Sequence, residues 1–346
     1  MEKQSTIRDV ARLAGVSVAT VSRVLCDSDY PVSPQLKQRV REAAQSLNYV
    51  PNAMAKSLRK SECRDVGVVI PGIANPFYLQ AVRGINEVLS QNGYSMILCD
   101  TQNDPQRERM YLQQLAQRQV SGVILSSARD DEASVGEYAG RGLRFVTLDQ
   151  KIEDIDCPSI NFDSRAGARM ATEHLLAMGH RRIAFATLPL TRWTRTQMLQ
   201  GYKDALAVAG IPFEESFVYV CAEKPPQPYL DRESYAGQKI AEEILRDGKN
   251  VTATLCVNDM LAIGLMNSFL KNGLRIPEDI SVVGFDDIPF AQLYTPALTT
   301  VRYPAMETGR LAATVLLDPM IHTSQNAPLA MNLTPQLVVR DTVRAL

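Results

Sequence analysis

From Val66 onward the sequence repeats one pattern: a short run rich in β-branched and aromatic residues, then a stretch of helical length, then another short run. The runs include Val66–Ile70, Met96–Cys99, Val123–Leu125, Phe145–Leu148, Ile183–Ala186, Phe217–Cys221, Thr254–Val257 and Ile280–Phe285, separated by amphipathic segments such as Val82–Leu89 and Ala236–Leu245. Strands that alternate with helices are joined by crossovers, which makes neighbouring strands parallel and lays helices over the sheet. Two doubly wound halves are the natural arrangement, the second beginning near Ser164 with a helix through Met178 ahead of Ile183. Ligands of such sheets sit beyond the carboxyl ends of the strands, so a site is expected in a cleft between the halves.

Polar and aromatic residues gather just past those strand ends: Asn75-Pro76-Phe77-Tyr78, Ser126, Asp149, Asn258-Asp259 and Asp286-Asp287. Carboxylates and amides can hold hydroxyls bidentately while aromatic faces cover the apolar side of a sugar or base. Taken singly, Asn75 before Pro76 and Asp259 before Met260 are explained as helix caps. Only the collective pattern points to a cleft. Trp193, the single tryptophan, follows Arg192 in a polar stretch and is assigned to the cleft wall in preference to a surface patch.

Several chemistries are excluded by what the chain lacks. It has no G-x-G-x-x-G after the first strand, no G-x-x-x-x-G-K-[ST] and no G-x-S-x-G, so an enzyme is not expected. Six cysteines, at positions 26, 63, 99, 157, 221 and 256, form no C-x-x-C pair, and His174, His180 and His322 form no ligand cluster, so neither metal nor cofactor is expected. No apolar run approaches the roughly 18 residues of a membrane span, and the polar start Met1-Glu2-Lys3-Gln4-Ser5 signals no export, which places the protein in the cytoplasm.

The net charge of −1 conceals an asymmetry: residues 1–60 hold ten lysines and arginines against five acids, a net +5, which leaves −6 for the remainder. Contact with a polyanion therefore belongs to the N-terminal segment. Ile7, Val10, Ala11 and Ala14 share one helical face, Gly15 interrupts, and after a Ser17 cap Val21, Val24 and Leu25 turn inward, leaving Val18, Ala19, Ser22 and Arg23 outward. Ser33-Pro34 opens a third helix with the stripe Leu36, Val40, Ala43, Ala44 and Leu47. In a helix-turn-helix the second helix lies in the major groove, where Arg23 can donate twice to guanine and Val18 and Ala19 can meet thymine methyls. A plain three-helix bundle has the same periodicity. The following Tyr49–Lys60 segment is too short for a helix stable alone; it is either a linker or a hinge helix ordered by a partner and DNA, with Leu58 wedged between base steps.

Three stretches, Thr6–Ala11, Gly15–Leu25 and Tyr49–Ala55, resemble the lactose/galactose repressor family, and the resemblance runs through essentially the whole chain. It implies a small all-α helix-turn-helix headpiece (1–50), a hinge helix and linker (51–65), and an α/β periplasmic-binding-protein-like domain (66–346) of two doubly wound parallel-sheet subdomains. The N-subdomain is expected at 66–163 and 296–330, the C-subdomain at 164–295 and 331–346. It also implies a homodimer on a near-palindromic double-stranded operator, and adds Thr6, Ser17, Thr20, Tyr49, Asn52 and Ala55 to the DNA-facing residues Val18, Ala19, Ser22, Arg23 and Leu58. Phe77, Asp149, Asn258 and Asp286 match positions where relatives hold their effector, with Ser126, Asp163, Tyr229 and Tyr303 nearby.

Two departures bear on the ligand. Met198 stands three residues before Gly201, where many relatives carry an effector-binding arginine, and Gln150 follows Asp149 where arginine is frequent. Arg195, one turn earlier than Met198 on the same helix face, is the expected substitute. The reading is a repressor controlled by a sugar or sugar derivative. A corepressor- or protein-partner-dependent regulator is the alternative, and a sugar-binding protein without DNA binding is the more distant one. No leucine-heptad tail follows Arg340, which favours a dimer over a tetramer.

Overall fold

The computed structural model describes residues 5–25, 31–49, 63–127, 132–150, 157–227, 231–323 and 329–346. It divides into two compact units, Met1–Arg64 and Asp65–Leu346.

The first unit is built from helices α1 (Ile7–Ala14), α2 (Val18–Leu25) and α3 (Pro34–Ser46). Gly15 ends α1 with φ of 62°, a left-handed conformation that costs a glycine nothing and lets the chain reverse into α2 within three residues. Arg39 of α3 donates to the Ala14 carbonyl at 2.6 Å, tying the third helix to the end of the first. Val10, Ala11, Ala14, Val21, Val24, Val40, Ala43 and Ala44 form the buried core, with Ile7, Leu25, Leu47 and Tyr49 packed around it.

In the second unit the chain runs β1 (Asp65–Ile70), α4 (Pro76–Gln91), β2 (Ser95–Asp100), α5 (Pro105–Gln117), β3 (Gly122–Leu125), α6 (Glu132–Ala139), β4 (Phe145–Leu148) and β5 (Ser159–Phe162). It continues through α7 (Ser164–Ala177), β6 (Ile183–Thr187), α8 (Trp193–Val208), β7 (Val218–Val220), α9 (Arg232–Asp247), β8 (Ala253–Cys256), α10 (Asp259–Lys271), β9 (Ser281–Asp286) and β10 (Thr299–Arg302). It ends with α11 (Ala305–Leu317), α12 (Pro319–Thr323), β11 (Ala330–Leu333) and β12 (Gln336–Val338). Two six-stranded sheets result, ordered β11-β5-β4-β3-β1-β2 and β12-β10-β9-β8-β6-β7. All pairings are parallel except that of β12 with β10. Strands β3, β4, β6 and β8 are buried at every position, as parallel strands covered on both faces must be.

Three crossings link the two sheets: β5 to α7, β10 to α11, and β11 to β12. The second lies later than the expected return at residue 296. Thr299–Arg302 is a strand of the second sheet, with Thr300 opposite Gly284. It is held there by bonds that no local pattern reveals: Thr300 Oγ1 donates to Asp259 at 2.6 Å and the Thr299 amide to Thr342 Oγ1 at 2.9 Å. The last crossing likewise follows Leu333, because Ala330–Leu333 pairs with β5 in the first sheet.

The returning helix α11 packs on α4 with backbones in contact. A Cβ at Gly84 would lie 2.0 Å from the Met306 carbonyl oxygen, and one at Gly309 would lie 2.1 Å from that of Ala81. Only glycines allow that approach, and it fixes the position of α4, whose first residues open onto the cleft.

Candidate functional site

On the first unit, α2 presents the candidate DNA-reading face. Ser17 caps the helix: the Thr20 amide donates to Ser17 Oγ at 3.1 Å, and the two hydroxyls share a bond at 2.9 Å. With Val21 and Val24 in the core, Val18 is 41% exposed, and Ala19 and Arg23 also face solvent. Ser22 does not join them. It is buried, because α1 and α3 both pack on α2 and cover a wider arc than the apolar stripe suggests. Thr6 is engaged in capping, its amide and hydroxyl donating to Asp9 Oδ2 at 3.0 and 2.6 Å. Tyr49 lies half-buried against the helical core. Asn52, Ala55 and Leu58 lie outside the described residues.

In the second unit, the chain order reverses about β1 in the first sheet and about β6 in the second, and the segments after their carboxyl ends converge on a cleft. Asn75, Phe77, Tyr78 and Asp149 line it from the first sheet's side, and Ser164, Arg192, Thr194, Arg195, Met198, Glu233, Val257, Asn258, Phe285 and Asp286 from the second's; Tyr303 sits on the crossing between them. Phe77 meets the Tyr303 ring edge-on at 4.8 Å and Tyr78 at 5.1 Å, which makes one wall aromatic.

The polar groups of this cleft bind one another across it. Arg192, carried by the second half, donates to the Tyr78 hydroxyl at 2.7 Å and to Ser126 Oγ at 3.4 Å, and lies 3.9 Å from Asp149, all three belonging to the first half. Asn75 Nδ2 donates to Glu233 Oε2 at 2.7 Å in the opposite sense. Burial, with Asp231 nearby, pushes the Glu233 carboxyl up to about 7 in spite of Arg195 and Arg192. Burial lowers Arg195 to about 10, and the charge of Arg192 adds to that.

Asp286 stands at the end of β9 with φ of 119°, and Asp149 just after β4 with φ of 53°. Non-glycine residues avoid this region, and strain retained at a ligand-facing position marks a constrained site. No described residue donates a hydrogen bond to the Asp286 carboxylate; burial, with Asp259, Glu233 and Asp149 close by, raises its pKa well above the ordinary carboxylate range. The strand end itself is anchored from beneath. Asp259, fully buried, accepts from Thr300 Oγ1 at 2.6 Å and the Ile288 amide at 2.8 Å, while Asp287 pairs with Arg302 at 2.7 Å and Arg340 at 2.5 Å. Asp259 is thus an anchor, and the cap of α10 is its neighbour Asn258, which accepts from the Leu261 amide at 2.8 Å.

Comparison with known proteins bears on both units. Residues 6–52 match the family of bacterial regulatory proteins, lacI family, and residues 64–334 match the periplasmic binding proteins and sugar binding domain of the LacI family. The chain belongs to the LacI family. The HTH-type transcriptional repressor PurR of Vibrio cholerae serotype O1 (strain M66-2) is 32% identical, with 99% of each chain covered. A lac repressor dimer bound to operator and the anti-inducer ONPF superimposes with a TM-score of 0.83 at 30% identity, covering 99% of this chain and 100% of that one. A CelR–cellobiose complex does so at 0.72 and 29%, covering 98% and 99%. This LacI-family protein is a ligand-controlled, DNA-binding transcriptional repressor and not an enzyme. Among the described residues no helix is long and apolar enough to cross a membrane.

Within the LacI-type cleft the structure brings together Phe77, Asp149, Arg195, Asn258, Asp286 and Tyr303, with Ser126 behind them bonded to Arg192. Asp163 is not among the lining residues; it is exposed and caps α7 by accepting from the Ala166 amide at 2.9 Å. Trp193 opens α8 and does not line the cleft either, since at about 100° per residue it falls on the face away from Thr194, Arg195 and Met198. Tyr229 lies outside the described residues. Of the two departures, Met198 lines the cleft as a buried apolar wall. Gln150 turns away from it, accepting from the Ser127 amide at 2.5 Å, while its own amide donates to Asn161 Oδ1 at 3.2 Å. Arg192, Thr194, Glu233 and Asn75 were not among the expected effector residues. A run of two arginines and two threonines entering a helix after a strand, Thr191-Arg192-Trp193-Thr194-Arg195, was the signal for the first two.

Proposed function

We propose that this repressor binds a near-palindromic operator as a homodimer in the cytoplasm, each α2 entering the major groove, and that a sugar or sugar derivative held in the cleft sets its grip. Val18, Ala19 and Arg23 read base edges, with Ser17 and Thr20 fixing the start of the helix. The hinge and linker at 51–65 transmit the ligand's effect to the DNA, with Leu58 as the minor-groove wedge. The observation that carries the reading is the bridge of Arg192 to Tyr78, Ser126 and Asp149. The two halves are held by polar groups at the same place where hydroxyls would bind, so a ligand that exchanges with those contacts changes how the halves meet. A hundredfold change in operator affinity requires only about 2.7 kcal/mol of such coupling. The solved relatives that carry operator with anti-inducer, or cellobiose, have this architecture.

Operator selection from random duplexes with the purified protein, followed by titration of sugars, sugar acids, phosphosugars and nucleosides, tests it. A palindrome whose binding one of these ligands alters supports the reading. A selected site that no ligand perturbs assigns control to a protein partner, and failure to select any site removes the operator assignment.

A further inference from the structure

We propose that the effector is an acid, a polyhydroxylated molecule whose carboxylate or phosphate seats on the first turn of α8 against Thr194 and Arg195. This rests on the reading of the cleft as a polyol site and adds the charge of what fills it.

A helix start presents amide groups that seek an acceptor and a partial positive charge that favours an anion. Around this cleft α4, α7, α9 and α10 each supply that acceptor from their own cap, through Asn75, Asp163, Asp231 and Asn258. At α8 the cap position is Arg192, and no side chain accepts from the first turn. Two further observations point to a ligand there. Thr194 is only 7% exposed, lines the cleft, and its hydroxyl has no hydrogen-bond partner among the described residues. Arg195 also lines the cleft; its Nη1 donates to the Pro189 carbonyl at 3.0 Å, and no described carboxylate lies within ion-pair distance of it. Arg195 is half-buried, and a guanidinium partly withdrawn from water gains from a charge-assisted partner, which an incoming anion supplies.

The rest of the lining has a different character. Asp149, Glu233, Asp286 and Asn258 bring acids and an amide to the space that hydroxyls would fill, and Met198 supplies an apolar wall for the carbon chain. The three acids do not oppose an anion as strongly as their number suggests. Glu233 titrates at about 7 and Asp286 well above its ordinary value, whereas Arg195, at about 10, keeps its charge near neutrality. The cleft therefore sheds negative charge more readily than positive.

Calorimetric titration of the full-length protein with matched probes tests this: glucose, gluconate, glucuronate and glucose 6-phosphate, and the corresponding galactose and ribose compounds. At least one acid is expected to bind about tenfold or more tighter than its neutral parent, the worth of one charge-assisted bond. Carboxylate against phosphate members of the series then identify the anion. Arg195→Gln should bring acid and neutral affinities together, and Thr194→Val, which keeps the shape, should weaken the acid by about tenfold and the neutral parent by clearly less. A neutral parent that binds as tightly as its acids, or a Thr194→Val that weakens both alike, overturns the proposal while leaving the polyol reading standing. If no member of any series binds, the polyol reading falls and this one with it.

Discussion

Replacing Arg192 with methionine removes the one side chain that bonds three residues across the cleft while keeping an unbranched stem of similar reach. Arg192 is 6% exposed, so its bonds to the Tyr78 hydroxyl at 2.7 Å and Ser126 at 3.4 Å are made with little competition from water. A hydrogen bond from a charged donor contributes about 1.5–3 kcal/mol, and the Tyr78 hydroxyl, itself on a residue 7% exposed, loses its donor. The 3.9 Å approach to Asp149 contributes less. Together about 2–4 kcal/mol of the preference for apposed halves disappears, a factor of roughly 30 to 1000 in the closed-to-open ratio. Small-angle scattering of the two proteins without DNA should show a larger radius of gyration for Arg192→Met. Thermal unfolding should fall by about 2 °C for each kcal/mol lost. Identical scattering curves and identical melting would refute the argument and reduce Arg192 to a wall residue.

Three further outcomes are expected. Ser17→Ala should lower the stability of the helical unit by about 1 kcal/mol, seen as a lower melting midpoint in circular dichroism, because the Thr20 amide loses its cap. Glu233 is an acid whose folded pKa, about 7, lies above its ordinary 4.5, so its contribution to stability is lost as pH rises between those values. Burial is the first cause, with Asp231 opposing and Arg195, Arg192 and Asn75 favouring its charge; Glu233→Gln should match the wild type near pH 4.5 and exceed its melting temperature above pH 7. Gly84→Val should destabilise by about 1–3 kcal/mol in urea titration, since its Cβ would meet the Met306 carbonyl at 2.0 Å and force α4 from α11.

The fold was legible because both of its periods are local. Buried strands such as Val123–Leu125 are continuous apolar runs, and the Gly15 turn and the Ser17 and Ser33 caps punctuate the helices of the first unit. What escaped was non-local. Thr299–Arg302 belongs to the second sheet because of Asp259 and Thr342, far away in sequence, so the boundary at 296 that the family resemblance implied came too early. Ser22 looked outward from a single helical stripe, but two helices cover α2. At the cleft, the strand-end residues, Asn75 among them, were readable as a collective pattern and not singly. Arg192 and Glu233 were not readable, because their role lies in bonding across the two halves, and Asp163 looked like a ligand group while serving as a cap.

The backbone at the cleft divides its lining into positions of unequal freedom. Asp149, at φ 53°, lies in the left-handed region that asparagine, aspartate and glycine visit most readily, and Asp286, at φ 119°, in one that side chains enter only under strain. Residues 193–198 sit on a regular helix that accepts almost any side chain. Drift among descendants of this chain therefore has a preferred address: a repressor that acquires a new signal molecule would rewrite the opening turns of α8 and keep its two acids.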